Sequence, residues 1–393
     1  MTNERVTGDQ ANVDRVFGIV EEILGEMGIT EIATDSMMAA PPFYEGEVLI
    51  KRSDRFALFA GQFSLKVGCI PYAFNDAAFL TVRQFCEMYI ADSEPEIPSV
   101  ALAEDQYVIH NEPKAGHDLG PEQEFPIGFV LGCARSGTTL FRIMLNVHQD
   151  VWAPGELHLA NYESMKHRAS RIVPLLRFMI IPECAARFGE PVSEFSLRFK
   201  QWERDDLPMS EVYRRLYEAD PSRLIIDKTP PYSHRLAYLQ EISRRFPNAK
   251  FIHLIRSPHD VIRSYVKMGL YKRGSASFEP GLNPYQMGEV TWSLHNANIA
   301  QFLKQLPSAR QCTVRYEDLV AAPDEWLTKV CSILDLTHDP GMADPYRGSA
   351  GAGAQGAGDA RINFLTGVEN RKPSEAFYPI GSTCRSLSEA YGY

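Results

Sequence analysis

The chain has 393 residues, 45% of them hydrophobic, enough to bury a substantial core and to hold more than one domain. Its formal net charge of −10 argues against broad nucleic-acid or polyanion binding but permits a local basic pocket for a small anion. The seven cysteines form no C-x-x-C pair and no metal-ligand spacing, so neither a disulfide framework nor a metal site is expected. No run of about 18 apolar residues is present, and MTNERVTGDQ lacks the basic start and apolar stretch of a secretory leader. The expectation is a cytoplasmic protein that does not engage a membrane.

In chain order, residues 12–28 carry Val13, Val16, Phe17, Val20, Ile23, Leu24 and Met27 at helical spacing. Further helices are predicted over about 48–63 and 81–90, so residues 1–92 read as a small helical domain. Residues 93–124 are acidic and rich in Pro and Gly and read as a linker. From residue 125 short apolar runs alternate with helical stretches. IGFVLG is followed by a helix from Thr138, RLIID (223–227) by a helix at 234–246, KFIHLI (250–255) by a helix from His259, and CTVRY (312–316) by a helix at 324–333. This alternation predicts that residues 125–393 form an α/β domain, a parallel sheet with helices on both faces. GSAGAGAQGAG (348–358) reads as a loop.

LGCARSGTTLF (131–141) falls between the first apolar run and its helix, which places backbone N–H groups and a helix N-terminus around an anion. Gly132 and Gly137 have the spacing of a nucleoside-triphosphate loop, but Thr138 stands where that loop carries lysine, and Arg135 supplies a cation three residues earlier. In FIHLIRSPHDVIRSYVK (251–267), Arg256 closes an apolar strand and Ser264 follows on the third turn of a helix, a spacing that lets both reach one phosphate.

Together these two stretches resemble the sulfotransferases that use 3′-phosphoadenosine 5′-phosphosulfate (PAPS), over about residues 126–393. The resemblance implies a P-loop-like sheet and PAPS as co-substrate, with no metal. It implies that Arg135, Ser136, Gly137, Thr138 and Thr139 hold the 5′-phosphosulfate, and that Arg256 and Ser264 hold the 3′-phosphate. RYEDLVAAPDEWL (315–327) matches a further family segment that sets Tyr316 near the nucleotide, and GAGDARI and LSEAYGY look like family endings. PAPS has no γ-phosphate for a lysine at position 138 to meet.

Sulfonate transfer to a hydroxyl needs a base, and the departing phosphate needs cations. HQDVWAPGELHLAN (148–161) resembles the protein-tyrosine branch of the family, which implies Glu156 as base; His158 competes because an imidazole titrates near neutrality. IIDKTPPY (225–232) resembles the family segment whose lysine meets the leaving group, implying that role for Lys228. The same segment imitates the magnesium-binding strand of P-loop kinases, with Asp227 as ligand, and this keeps a phosphotransferase open as the rival class. A non-catalytic nucleotide-binding scaffold is a third. Trp292 and Asn296 form a helical W-x-x-x-N element read as packing.

Residues 12–92 faintly resemble an acyl carrier domain. Its attachment serine would fall at Val48, between Glu47 and Leu49, so the hydroxyl is absent; a cap or dimerisation domain is the other reading. The expected acceptor is a small molecule of secondary metabolism, free or presented by a carrier protein.

Overall fold

In a computed structural model of this chain, which describes residues 17–25, 96–107, 125–172, 180–273, 278–346, 368 and 373–393, the apolar runs come together as one parallel sheet. Its strands are β1 (Ile127–Leu131), β2 (Val151–Trp152), β3 (Leu224–Lys228), β4 (Lys250–Ile255) and β5 (Gln311–Arg315). They lie in the order β2-β3-β1-β4-β5, and every neighbouring pair is parallel.

Parallel neighbours require crossovers, and helices supply them. After β1 comes α1 (Thr138–Val147). Between β2 and β3 lie α2 (Met165–Arg171), α3 (Ile181–Phe188), α4 (Val192–Arg204) and α5 (Met209–Ala219). Next, α6 (Leu236–Arg245) joins β3 to β4, while α7 (Pro258–Lys267) and α8 (Pro284–Leu303) stand between β4 and β5. After β5 follow α9 (Tyr316–Ala321), α10 (Pro323–Ile333) and α11 (Ser382–Ala390). The strand order leaves β1 central, with β2 and β3 on one side and β4 and β5 on the other. The carboxyl end of β1 is therefore the point where the winding reverses, the place where open α/β sheets form a ligand crevice.

Burial explains why β1 reads as a continuous apolar run: all five of its residues are covered. Phe129 stacks on Phe251 with ring centroids 5.5 Å apart, and Tyr213, Tyr232 and Phe246 close around it. Helices α3, α4 and α5 extend this core through Cys184, Phe195, Phe199, Trp202 and Leu216. A second cluster joins Cys133, Ile255, Val261, Ile262 and Trp292 to Tyr378, Ile380 and Cys384 near the end of the chain.

The chain divides into two compact units, one of Met1–Glu96, Val266–Gly274 and Asp359–Phe364, the other of Ile97–Tyr265, Ser275–Gly358 and Leu365–Tyr393. In the first, residues 17–25 are helical, with Val20, Ile23 and Leu24 buried, within the helix expected at 12–28. The helices expected over 48–63 and 81–90, the Val48 position and the glycine-rich stretch 348–358 lie outside the described residues. Among the described residues, no helix is long and apolar enough to cross a membrane.

Some boundaries differ from expectation. Arg256 follows β4 rather than closing it, Tyr316 opens α9 rather than ending β5, and Ser264, seventh in α7, lies on that helix's second turn. Helix α8 gives no clean apolar stripe because Glu289, Thr291, Ser293, His295 and Asn296 are all buried along it. β2 is too short for its pattern to register.

Candidate active site

The loop between β1 and α1 passes close to its neighbours. A Cβ on Gly132 would lie 2.6 Å from the Leu254 carbonyl oxygen. Gly137 has φ of 88°, and a Cβ there would lie 2.2 Å from the Tyr316 ring. Arg135 holds φ of 74°, a left-handed conformation that costs a non-glycine residue energy and recurs at ligand sites. The Ser136 N–H turns back to the Cys133 carbonyl at 3.2 Å, while the Ser136 hydroxyl is fully buried and has no hydrogen-bond partner among the described residues. An orphaned buried hydroxyl beside the first N–H groups of α1 fits a bound anion.

Arg256 and Ser264 meet this loop from the other side of β1. The Arg135 guanidinium donates through Nε to Ser264 Oγ at 2.9 Å, and Arg256 reaches the Arg135 carbonyl at 3.5 Å. The Arg256 guanidinium lies over the Tyr316 ring, 4.5 Å from its centroid, and 4.0 Å from Asp260. Thus Arg135, Arg256, Ser264 and Tyr316, from three separate segments, share one end of the sheet.

Lys228, paired with Val130 at the carboxyl ends of β3 and β1, donates from Nζ to Glu156 Oε1 at 2.7 Å. His158 Nε2 lies 3.2 Å from the other Glu156 oxygen. Burial alone would raise the Glu156 carboxyl, but the Lys228 ammonium and the His158 contact outweigh it and hold the group well below the usual carboxylate range. Burial lowers Lys228, and Glu156 opposes that shift. His158, like Arg135, is left-handed, with φ of 50°.

Side chains that the sequence reading passed over pin the segment carrying Glu156. Asn146 Oδ1 accepts from the Ala153 N–H at 2.8 Å, buried Arg142 donates to the Ala153 carbonyl at 2.8 Å, and Glu183 accepts from the Gly155 N–H at 2.7 Å. Arg168 donates to the His158 carbonyl at 2.9 Å, and the Tyr232 hydroxyl accepts from the N–H groups of Leu159 and Ala160, each at 3.0 Å.

Asp227, the metal ligand of the rival reading, is fully buried and accepts hydroxyls from Tyr213, Thr229 and Tyr232. Burial raises its carboxyl against those three bonds. Both of its oxygens are thus bonded to hydroxyls inside the core. Trp292 does more than pack: its Nε1 donates to the Arg256 carbonyl at 3.0 Å. Asn296 bonds His253 at 2.9 Å and the Trp292 carbonyl at 2.8 Å.

A parallel five-stranded α/β sheet flanked by helices, with a glycine loop and two arginines at its switch point, defines a P-loop-like fold. The sulfotransferase family model matches residues 126–340, and the chain belongs to that family. The sulfotransferase domain from the curacin biosynthetic pathway is 29% identical, with a TM-score of 0.60 over 70% of this chain and 99% of that one. The sulfotransferase domain from the Synechococcus PCC 7002 olefin synthase is 26% identical, with a TM-score of 0.61 over 70% of this chain and 97% of that one. A protein-tyrosine sulfotransferase of Drosophila melanogaster is 24% identical over 260 residues, 66% of this chain and 47% of that protein. The chain spans about half the length of the curated relatives it matches.

Proposed function

We propose that this protein moves the sulfonate group of PAPS to a hydroxyl or amine of a small acceptor. The observation that carries this reading is the 2.9 Å contact between Arg135 and Ser264, with Arg256 beside it on the Tyr316 ring. A loop that cradles one anion thereby stands next to a second, independent anion site, as a nucleotide charged at both its 5′ and 3′ positions requires.

In the reaction, an acceptor oxygen attacks sulfur in line, the S–O bond to the 5′-phosphate breaks, and adenosine 3′,5′-bisphosphate departs. Glu156 takes the acceptor proton, and Lys228 and Arg135 meet the charge that develops on the departing phosphate. Loop N–H groups and the Ser136, Thr138 and Thr139 hydroxyls bind the phosphosulfate, while Arg256 and Ser264 bind the 3′-phosphate. His158, on the second oxygen of Glu156 at 3.2 Å, orients that carboxylate or serves as base in its place. Similarity to sulfotransferase domains from the curacin pathway and from an olefin synthase supports a biosynthetic intermediate as acceptor, free or presented by a carrier. Residues 1–92 are read as a carrier-like domain lacking its attachment serine, or as a cap.

Calorimetric titration with adenosine 3′,5′-bisphosphate and with AMP tests the reading. The bisphosphate is expected to bind more tightly, and Arg256→Ala to weaken it at least about tenfold, the loss of a charge-assisted bond. Equal affinity for both nucleotides overturns the assignment, and tight Mg²⁺-dependent ATP binding would favour phosphotransfer.

A further inference from the structure

Arg256 is held through its main chain as well as through its guanidinium. One backbone group on each of three consecutive residues, 255 to 257, is occupied by a side chain from elsewhere. Ahead of it, the Ile255 carbonyl lies 3.2 Å from the Tyr393 hydroxyl. Its own carbonyl accepts from Trp292 at 3.0 Å, and behind it the Ser257 N–H donates to Glu317 at 3.0 Å. The outer two supports are one unit, because the Tyr393 hydroxyl also donates to the second oxygen of Glu317 at 2.6 Å. Its single proton is shared, with the shorter contact to the carboxylate.

This unit is itself fixed. Glu317 is 7% exposed and directly follows Tyr316, the ring beneath the Arg256 guanidinium. Arg315 lies over the Tyr393 ring, 4.5 Å from its centroid, and donates to the Gly392 carbonyl at 3.1 Å. A buried carboxylate that accepts from one backbone N–H and one phenol has both oxygens engaged, and removing either donor leaves it short of a partner. The Arg256 side chain is a long lever on its backbone, and an arginine that must meet a phosphate loses affinity when that backbone turns by a small angle.

We propose that Tyr393 and Glu317 are positioning residues for the arginine that reads the 3′-phosphate: they lock the peptide groups on either side of Arg256 and set donor affinity without touching the donor. The proposal rests on the sulfotransferase reading above and adds to it a role for a segment near the end of the chain. A purely structural role would lower thermal stability and leave nucleotide discrimination unchanged. A positioning role moves discrimination itself.

The test compares wild type, Tyr393→Phe, Glu317→Gln, Arg256→Ala and the double variant Tyr393→Phe/Arg256→Ala in the full chain. Each is titrated with adenosine 3′,5′-bisphosphate and with AMP, alongside a thermal melt. Tyr393→Phe is expected to weaken the bisphosphate about tenfold and to leave AMP unchanged. The double variant is expected to bind no more weakly than Arg256→Ala, since residues acting through one group are not additive. Glu317→Gln keeps the shape of the side chain and gives the same loss of discrimination should Tyr393→Phe fail to fold. A folded Tyr393→Phe or Glu317→Gln protein with the wild-type preference for bisphosphate over AMP overturns the proposal alone, as does full additivity with Arg256→Ala. A wild-type protein with no such preference overturns the sulfotransferase reading and this proposal with it.

Discussion

Lys228 and Glu156 form an ion pair at 2.7 Å with their side chains only 2% and 13% exposed. The pair ties the end of β3 to the segment after β2, and it unites the proposed cation and the proposed base before any substrate is present. An ammonium this close keeps the carboxylate ionised and able to accept a proton. The same ammonium is the charge assigned to the departing phosphate.

Glu156→Gln removes the proposed base and keeps the shape. Turnover is expected to fall by roughly 10²–10⁴, with affinity for adenosine 3′,5′-bisphosphate nearly unchanged. Steady-state kinetics with calorimetry separates the two effects. A comparable fall in His158→Ala, with Glu156→Gln unaffected, would exchange the two roles.

The pH profile distinguishes the same two residues. Glu156 is held below its ordinary value by Lys228 and His158 against the effect of burial, so it is ionised throughout the neutral range. The acid limb of kcat/KM is then expected below the ordinary glutamate value of about 4.3. An acid limb that His158→Ala abolishes would assign the base to His158. Stability follows the same sign. A depressed carboxyl stabilises the fold above its unfolded-state value, and that contribution disappears as pH falls toward the folded one. Tm measured from about pH 7 down to about pH 3 is expected to drop less steeply in Glu156→Gln than in wild type.

Lys228→Met takes away the leaving-group charge and also leaves Glu156 buried without its cation. Both turnover and Tm are expected to fall, the latter by up to about 3–5 kcal/mol of stability, the usual cost of breaking a buried pair from one side. Adding Glu156→Gln is expected to recover Tm and not turnover. Wild-type turnover in a folded Lys228→Met protein would remove Lys228 from the chemistry.

Gly137→Ala meets two obstacles at once, the φ of 88° and the Tyr316 ring 2.2 Å from the new methyl. Backbone strain of about 1–3 kcal/mol and displacement of Tyr316 are expected to lower Tm and weaken bisphosphate binding together. Gly137→Ala protein that binds as wild type does would show that the loop shape is not needed for the nucleotide.

The carrier-like reading of residues 1–92 makes a separate prediction. Val48 cannot form a phosphodiester, so coenzyme A with a promiscuous phosphopantetheinyl transferase is expected to leave the intact mass unchanged. A gain of one phosphopantetheine arm would place the attachment serine elsewhere and make the chain a self-loading carrier.

Four of the five strands are legible because their signals are local, and β2, two residues long, is not. Four apolar residues and a glycine at 127–131, glycines five apart at 132 and 137 and a helical period from Thr138 announce strand, loop and helix within one short stretch. KFIHLI followed by Arg-Ser-Pro does the same for β4 and the helix after it. Lys228 and Glu156 were each named from such stretches, yet nothing in either says that they bond. Nor does IIDK say that the Asp227 oxygens accept three hydroxyls, one of them from Tyr213 on α5, outside the segment. Trp292 was read as packing, and only the crossing of α8 behind Arg256 turns its indole into a backbone support. Local patterns follow from backbone periodicity and turn sterics, which act over a few residues. A buried polar group must find a partner, but which one it finds depends on how distant segments pack, and that choice belongs to the tertiary structure.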